Sequence, residues 1–542
     1  MRKARWLPFA CLSAALVSRM AALNAVPLAP DEAARAWASW TAIHGGPWPE
    51  SGSPLLANGN ALLFLLFGAG EGIARLLPAL AGALLVGLPW LWRERIGWKG
   101  AMIASALLLF SPTALAAARR LEGTAPAALA LALLATALWT ERPKPTALLA
   151  AGWALGLTAG PRFWDGLLAL GLASLFAAPP PRGGRAPLLR GLLYGSIAAW
   201  LLSIAFGLHP EGWAGPMAGL AAWLHSWGGA TAEGTTLSLL ALLVSEPLTL
   251  LLALYALLQG GGSPHRRWLA CWTVWMFGLL LLHGAEPRAM LLILVPLTLL
   301  AGEGAATLWE ARDASLPWPG PFVQEAAYAV LGLFALLLLA RYTTYEATGQ
   351  ELWLALVVGM LGGLLYVGFL LSSERGFATR ALVRGVGMLL LIAQAGTATS
   401  LLAVRAADPA EPLSQPAVSP DVRSAAIFAE DYSRLYAITP ERLEIALVGR
   451  GESLAPLRWT LRDFPAAYAT LVPPTEPTNL LITPPDLTPQ GEGWDGLRFS
   501  STRMTALHFP DGHAFIRWLL YRTPPAPVER QGWILWWHRP GE

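Results

Sequence analysis

Asp31 and Glu32 follow Pro30 a few residues beyond the first apolar run, at the head of a stretch where Ala33, Ala36, Trp37, Trp40 and Ile43 recur at helical spacing. The spacing predicts a helix over about 32–44 lying in a membrane interface. A carboxylate placed there can take a proton from an incoming hydroxyl or hold a divalent cation, Mg or Mn. Asp31 could equally be the N-cap of that helix, with Glu32 favourable to its dipole. Further along, Arg119, Arg120 and Glu122 share one short connection. Two guanidiniums make a natural clamp for a phosphate or diphosphate, and Glu122 adds a second acid. The bland reading is a snorkelling Arg pair beside Glu122 and lipid headgroups. Arg75, Arg162 with Asp165, Arg288 with Glu286, and Glu246 before Pro247 are further ionisable groups expected at the same face. His209 and Glu211 share that face, whereas His44, His225 and His283 read as interfacial or satisfied histidines. The catalytic candidates are therefore Asp31, Glu32 and Glu122, with Asp31 also the candidate metal ligand. The phosphate-binding candidates are Arg119, Arg120, Arg75, Arg162 and Arg288; Glu246, Glu286 and His44 are held in reserve.

These residues need elements to position them, and composition says what kind. The 542 residues are 55% hydrophobic and 13% charged. Soluble domains carry about 25% charge. Apolar runs long enough to cross about 30 Å of hydrocarbon recur at roughly 7–26, 70–92, 100–117, 124–140, 146–159, 162–178, 188–207, 237–258, 268–283, 288–305, 322–340, 351–371 and 381–403. The expectation is a mainly α, polytopic membrane bundle of about 13 transmembrane helices. Arg2, Lys3 and Arg5 before the first run read as the flank of a retained helix. With that end cytoplasmic, Arg93, Arg95, Lys99, Arg142, Lys144, Arg182, Arg185, Arg190, Arg266, Arg267, Arg312, Arg375, Arg380 and Arg384 all fall inside. Fewer basic residues fall outside, and the odd span count puts the C-terminus there.

Three segments are then extracytoplasmic. They are 27–69 with the acidic turn, 208–236 with Trp213, Trp223 and Trp227, and the tail from 405. The tail opens with a Pro-rich linker to Pro420. It continues as a small α/β domain, with strands near 443–448, 479–483 and 533–537 and a helix near 512–521. The expected domains are thus a membrane part, 1–404, and an extracytoplasmic part, 405–542. The net charge of +3 gives no reason to expect nucleic acid. Cys11 and Cys271 both lie in apolar runs, so no disulfide framework is expected. No phosphate loop, zinc-ligand spacing or Gly-x-Ser-x-Gly elbow stands in a fitting context. A donor that already carries its activation, such as a lipid-phosphate sugar, fits better than a nucleotide.

At this point the chain resembles the integral-membrane glycosyltransferases of the GT-C superfamily, the group of protein mannosyltransferases, aminoarabinose transferases and oligosaccharyltransferases. The carrying residues are Asp31 and Glu32, then Ser53-Pro54-Leu55, the run from Arg75 to Gly82, Ser111-Pro112, and Arg119 to Glu122. A narrower likeness, to a bacterial and archaeal branch of family-39-like proteins associated with lipid-linked-oligosaccharide flipping, adds 209–212, the Glu246 span, 286–288 and 457–464. The resemblance implies that Asp31 is the main catalytic or metal-associated acid. It implies that Glu122 is the second acid, at a position commonly Asp in relatives, and that Arg119 or Arg120 lies near a carrier phosphate.

Two readings follow. The first is a membrane glycosyltransferase that moves a sugar from a polyprenyl-phosphate donor to an extracytoplasmic glycan or protein acceptor, in a plasma (inner) membrane whose lipids are its other partners. The alternative is a non-enzymatic protein that binds lipid-linked glycans or assists their flipping.

Overall fold

The computed structural model describes residues 6–49, 52–139, 145–177, 185–229, 231–259, 263–284, 286–310, 320–344, 348–372, 376–474, 478–489 and 493–538. Arg2, Lys3, Arg5, Arg142, Lys144, Arg182, Arg312 and Arg375, assigned above to the inner face, lie outside the described residues.

Helices dominate, as the apolar runs require. By length and composition, six can cross a membrane: Leu76–Leu109, Ala186–Ser203, Pro287–Glu310, Phe322–Tyr342, Gln350–Leu371 and Phe377–Ala403. Ala232–Ser245 and Pro247–Leu258 form a seventh if counted together, bent by 84°. Leu7–Met20, Pro54–Phe67, Thr124–Trp139 and Pro145–Ala159 are shorter apolar helices. A straight run over 76–109 would measure roughly 50 Å, far more than a bilayer needs. It breaks at Gly97, whose φ of 74° and ψ of 163° are not helical, so that runs expected as two spans meet there.

Thr124–Trp139 and Pro287–Glu310 are apolar on all sides and run through the middle of the bundle, where nearly every residue is buried. Small residues let the helices close. A Cβ at Gly302 would stand 2.5 Å from the Gly100 carbonyl oxygen. Close backbone approach of this kind replaces the hydrophobic drive that lipid does not supply.

The C-terminal part is a six-stranded mixed sheet: β1 Ala417–Val418, β2 Ile445–Val448, β3 Ala467–Thr470, β4 Leu480–Thr483, β5 Trp494–Met504 and β6 Glu529–His538. Its order is β1-β5-β6-β4-β2-β3, with β2 parallel to both β3 and β4 and the other pairs antiparallel. The expected strands and the helix Gly512–Tyr521 are present; β1, β3 and β5 were not expected. The stretch read as a Pro-rich linker is packed instead: Ala410, Leu413 and Val418 are buried. The sheet part sits on the first amphipathic helix, Pro30–Ile43. Trp459 and Ala455 pack in one apolar cluster with Ala33, Ala36, Phe64 and Leu121. The segment 457–464, singled out in the sequence, is therefore the piece that docks beneath the acidic turn.

Candidate active site

Glu32 is the centre of the site, but not as a free acid. Pro30 occupies the first helical position, where its missing N–H costs nothing. Ala29 precedes the helix, and Glu32, three residues on, accepts from the Ala29 N–H at 2.9 Å. The N-terminus is thus capped by Glu32, not by Asp31. The same carboxylate accepts from Arg75 Nε and Nη2 at 2.9 and 2.7 Å, from Arg120 Nη1 at 3.0 Å and from the Leu121 N–H at 2.7 Å. Five donors saturate it. Burial alone would raise its pKa, but Arg75 and Arg120 outweigh burial and hold it well below the usual carboxylate range. It is a permanent anion that joins the acidic turn to the Arg119–Glu122 connection.

Asp31 differs in each respect. Its side chain is 35% exposed, its one close partner is Arg35 at 3.3 Å, and Oδ1 has no hydrogen-bond partner among the described residues. Arg35 itself is 45% exposed and also donates to the Leu121 carbonyl at 2.6 Å. Asp31 is the carboxylate that keeps an unengaged oxygen. Glu122 is paired on one oxygen with Arg288 Nε at 3.0 Å and is open on the other. Arg288 feels Glu122, Glu286 and Asp31 together, so both expected acids share one electrostatic neighbourhood.

Arg120 and Arg288 are tied to the chain that leaves the last membrane helix. Arg120 donates to the Ser414, Gln415 and Pro416 carbonyls at 3.3, 3.3 and 3.1 Å. Arg288 donates to those of Leu413 and Gln415 at 3.4 and 2.7 Å. Arg119 binds the end of the first helix through the Ala21 and Ala22 carbonyls, at 2.6 and 3.1 Å. Gly123 follows at once, and a Cβ there would stand 1.9 Å from the Ala159 carbonyl oxygen. Any larger residue would lift the connection off its neighbour.

Arg75, Arg119 and Arg120 meet at a cavity of about 50 Å³, beside apolar Leu23, Leu401 and Leu413. Seven guanidiniums (Arg19, Arg35, Arg75, Arg119, Arg120, Arg288, Arg423) share this neighbourhood with five carboxylates (Asp31, Glu32, Glu71, Glu122, Glu286), a formal surplus of two positive charges. Burial and the nearby Arg75 pull Arg119 down to about 10. Crowded cations of this kind favour an anion of two charges. They do not favour a divalent cation. Asp31 is surrounded by guanidiniums, and no three His, Cys, Asp or Glu side chains converge among the described residues. The expectation of Asp31 as a metal ligand does not fit its neighbours.

Three expected residues lie elsewhere. His44 is at the other end of the helix Pro30–Ile43, about 20 Å from Asp31, stacked on Trp40 at 4.1 Å. Arg162 pairs with buried Asp165 at 3.8 Å, in a separate group with Trp223 and His283. Glu246 is fully buried at the 84° bend. It accepts from Ser111, the Thr113 N–H at 3.2 Å, Thr249 at 3.3 Å and Gln394 at 3.0 Å. It staples two helix breaks, at Ser111 and at its own bend, to the continuous helix Phe377–Ala403. Glu246→Leu, which strands those donors at about 1–3 kcal/mol each, is expected to lower the melting temperature sharply, whereas Glu246→Gln keeps most of it. Equal melting temperatures for the two variants would remove the staple.

Arg35 was missed as a site residue, although its place four residues after Asp31 on a helix already read from the sequence is the signal for it. The backbone acceptors 413–416 have no such signal.

The chain has the polytopic helix bundle with a C-terminal sheet part that the sequence leads one to expect, and its fold is that of solved ArnT structures. Among solved structures it is similar to ArnT from Cupriavidus metallidurans bound to undecaprenyl phosphate. The two share 18% identity over 88% of this chain and 93% of that one, with a TM-score of 0.55. It is also similar to the same protein in the apo state, at 19% identity, 84% of each chain and a TM-score of 0.50. No family model and no curated protein matches the sequence.

Proposed function

We propose that this protein is a multi-pass glycosyltransferase of the plasma membrane that moves a sugar from a polyprenyl-phosphate donor to an extracytoplasmic acceptor. Its N-terminus is cytoplasmic and its sheet part extracytoplasmic. The observation that carries the reading is the cavity where Arg75, Arg119 and Arg120 meet beside Leu401 and Leu413. An apolar groove of about 540 Å³ runs below it between Met102, Leu252, Val383 and Met388, and ends at Gln394. Gln394 and Leu401 lie on one helix, Phe377–Ala403, about 10 Å apart along its axis. A lipid phosphate in the cavity would leave its isoprenoid tail in the groove. That ArnT, a protein of similar fold, binds undecaprenyl phosphate supports a polyprenyl-phosphate partner.

The chemistry follows from the charges. Asp31 takes the proton of the acceptor hydroxyl as its oxygen attacks the anomeric carbon of the donor sugar, and the bond from that carbon to the phosphate oxygen breaks with inversion. Negative charge grows on the leaving phosphate, where Arg119 and Arg120 are already aimed. Preorganised donors of this kind are worth about 3–4 kcal/mol each in other enzymes. Glu32 keeps the guanidiniums in place.

The test is binding and turnover in lipid nanodiscs. Undecaprenyl phosphate is expected to bind the wild type and to bind Arg119→Ala roughly 10- to 100-fold more weakly, the worth of one charge-assisted contact. A polyprenyl-phosphate-linked hexose is expected to lose its sugar to an envelope extract. Binding without any release would overturn the enzyme in favour of a carrier-binding accessory protein. No binding at all would overturn both.

A further inference from the structure

At the far end of the helix Pro30–Ile43 lies a second cavity, of about 840 Å³. Its walls come from the loop after that helix, the first turn of Pro54–Phe67 and the turns around 208–215. Trp48 and His209 stack on each other in its wall, their rings 4.9 Å apart and 9° from parallel. Asn58, buried in the wall, gives its amide hydrogens to the Leu202 and Ser203 carbonyls at 2.9 and 2.6 Å. Its Oδ1 is left as an acceptor. His209 Nδ1 is buried without a partner among the described residues. Burial lowers the pKa of this imidazole, so near neutral pH it offers one donor and one acceptor. Glu211 lines the same cavity, and among the described residues no Arg or Lys does.

The chemistry of these walls selects a ligand class. An apolar ligand would leave the Asn58 oxygen and the buried His209 nitrogen unpaired, which disfavours it. A phosphate or carboxylate would meet Glu211 with no cation to offset it. A pyranose ring satisfies all of them, because its C–H face packs against the stacked Trp48–His209 pair while its hydroxyls both donate and accept. The neighbouring Phe206, Trp213 and Met217 are 65, 68 and 55% exposed, an apolar flank suited to the headgroup layer of a membrane.

We infer that this cavity is a saccharide subsite that holds a neutral sugar unit of the acceptor, remote from the reacting hydroxyl. Its role as the acceptor side rests on the proposed function; sugar binding as such does not. Asp31 is about 20 Å away along the helix, so the unit held here is not the one that is glycosylated. The acceptor is therefore a glycan of more than one residue, either free or anchored to a lipid.

The experiment uses the full chain in nanodiscs, with maltose as the neutral probe and glucuronic acid as the anionic one. Saturation-transfer NMR reports sugar contact, and undecaprenyl phosphate binding is measured alongside. Maltose is expected to bind and glucuronic acid not. Trp48→Ala should weaken maltose roughly tenfold, as the loss of one aromatic face predicts, and Glu211→Gln severalfold. Both variants should keep the wild-type melting temperature and undecaprenyl phosphate affinity. Maltose bound by a wild type that ignores undecaprenyl phosphate would support the subsite while sinking the proposed reaction. Competition by a glycosyl diglyceride in the disc marks a lipid-anchored source, and its absence marks a free glycan. Loss of maltose contact in the wild type, unchanged maltose affinity in both variants, or a preference for glucuronic acid would overturn the inference.

Discussion

Asp31→Asn is expected to leave the protein folded and carrier-bound yet to reduce sugar transfer by about 10²–10⁴-fold, the usual worth of a positioned general base. That corresponds to about 3–5 kcal/mol of transition-state stabilisation. The expectation rests on what separates Asp31 from its neighbour. Its side chain is 35% exposed and one oxygen is unpartnered, so the substitution strands no buried cation. Losing the negative charge raises the local positive surplus, and undecaprenyl phosphate should bind as well as before or tighter. The loss should therefore fall on kcat with KM for the donor unchanged or lowered, which is the pattern of an interaction made in the transition state. A variant with wild-type kcat would remove Asp31 from the chemistry.

Glu32→Gln is expected to act on stability, by about 3–5 kcal/mol. The amide keeps the shape but leaves Arg75 and Arg120 buried without their counter-charge. Differential scanning fluorimetry should show a large fall in melting temperature. The pH dependence gives a second check. The folded state holds this carboxyl below its ordinary pKa of about 4.3. The unfolded chain therefore binds the proton first as pH falls, and the stabilisation, complete above that ordinary value, drains away below it. The wild type should lose stability on acidification through this range more steeply than Glu32→Gln. Parallel acid profiles would show that the ion pair contributes nothing net.

The membrane bundle was legible because hydrophobic length is a coarse and strong signal. Asp31, Glu122, Arg120 and Arg288 were legible as a group because ionisable residues at one end of apolar runs have few places to go. Their division of labour was not. Asp31 and Glu32 are adjacent and chemically alike, and only Arg75 and Arg120, reaching in from distant segments, make one a permanent anion and leave the other with an unpartnered oxygen. Glu246 read as a candidate for chemistry because an intramembrane carboxylate invites that reading. Thr249 is a local partner three residues on, but Ser111, Thr113 and Gln394 come from two distant segments that no spacing connects to it. The run 408–420 read as a linker from its prolines, since composition cannot tell that Arg120 and Arg288 hold its carbonyls.

Those carbonyls bear on how the molecule can be divided. A protein ended after Ala403 would strip Arg120 and Arg288 of five hydrogen bonds to four carbonyl oxygens and bare the apolar side of the helix Pro30–Ile43 where Trp459 rests. Such a fragment would not be a simpler version of the protein with a cap removed. The last peptide connection belongs to the electrostatic interior of the bundle, and the two halves are inseparable at that seam.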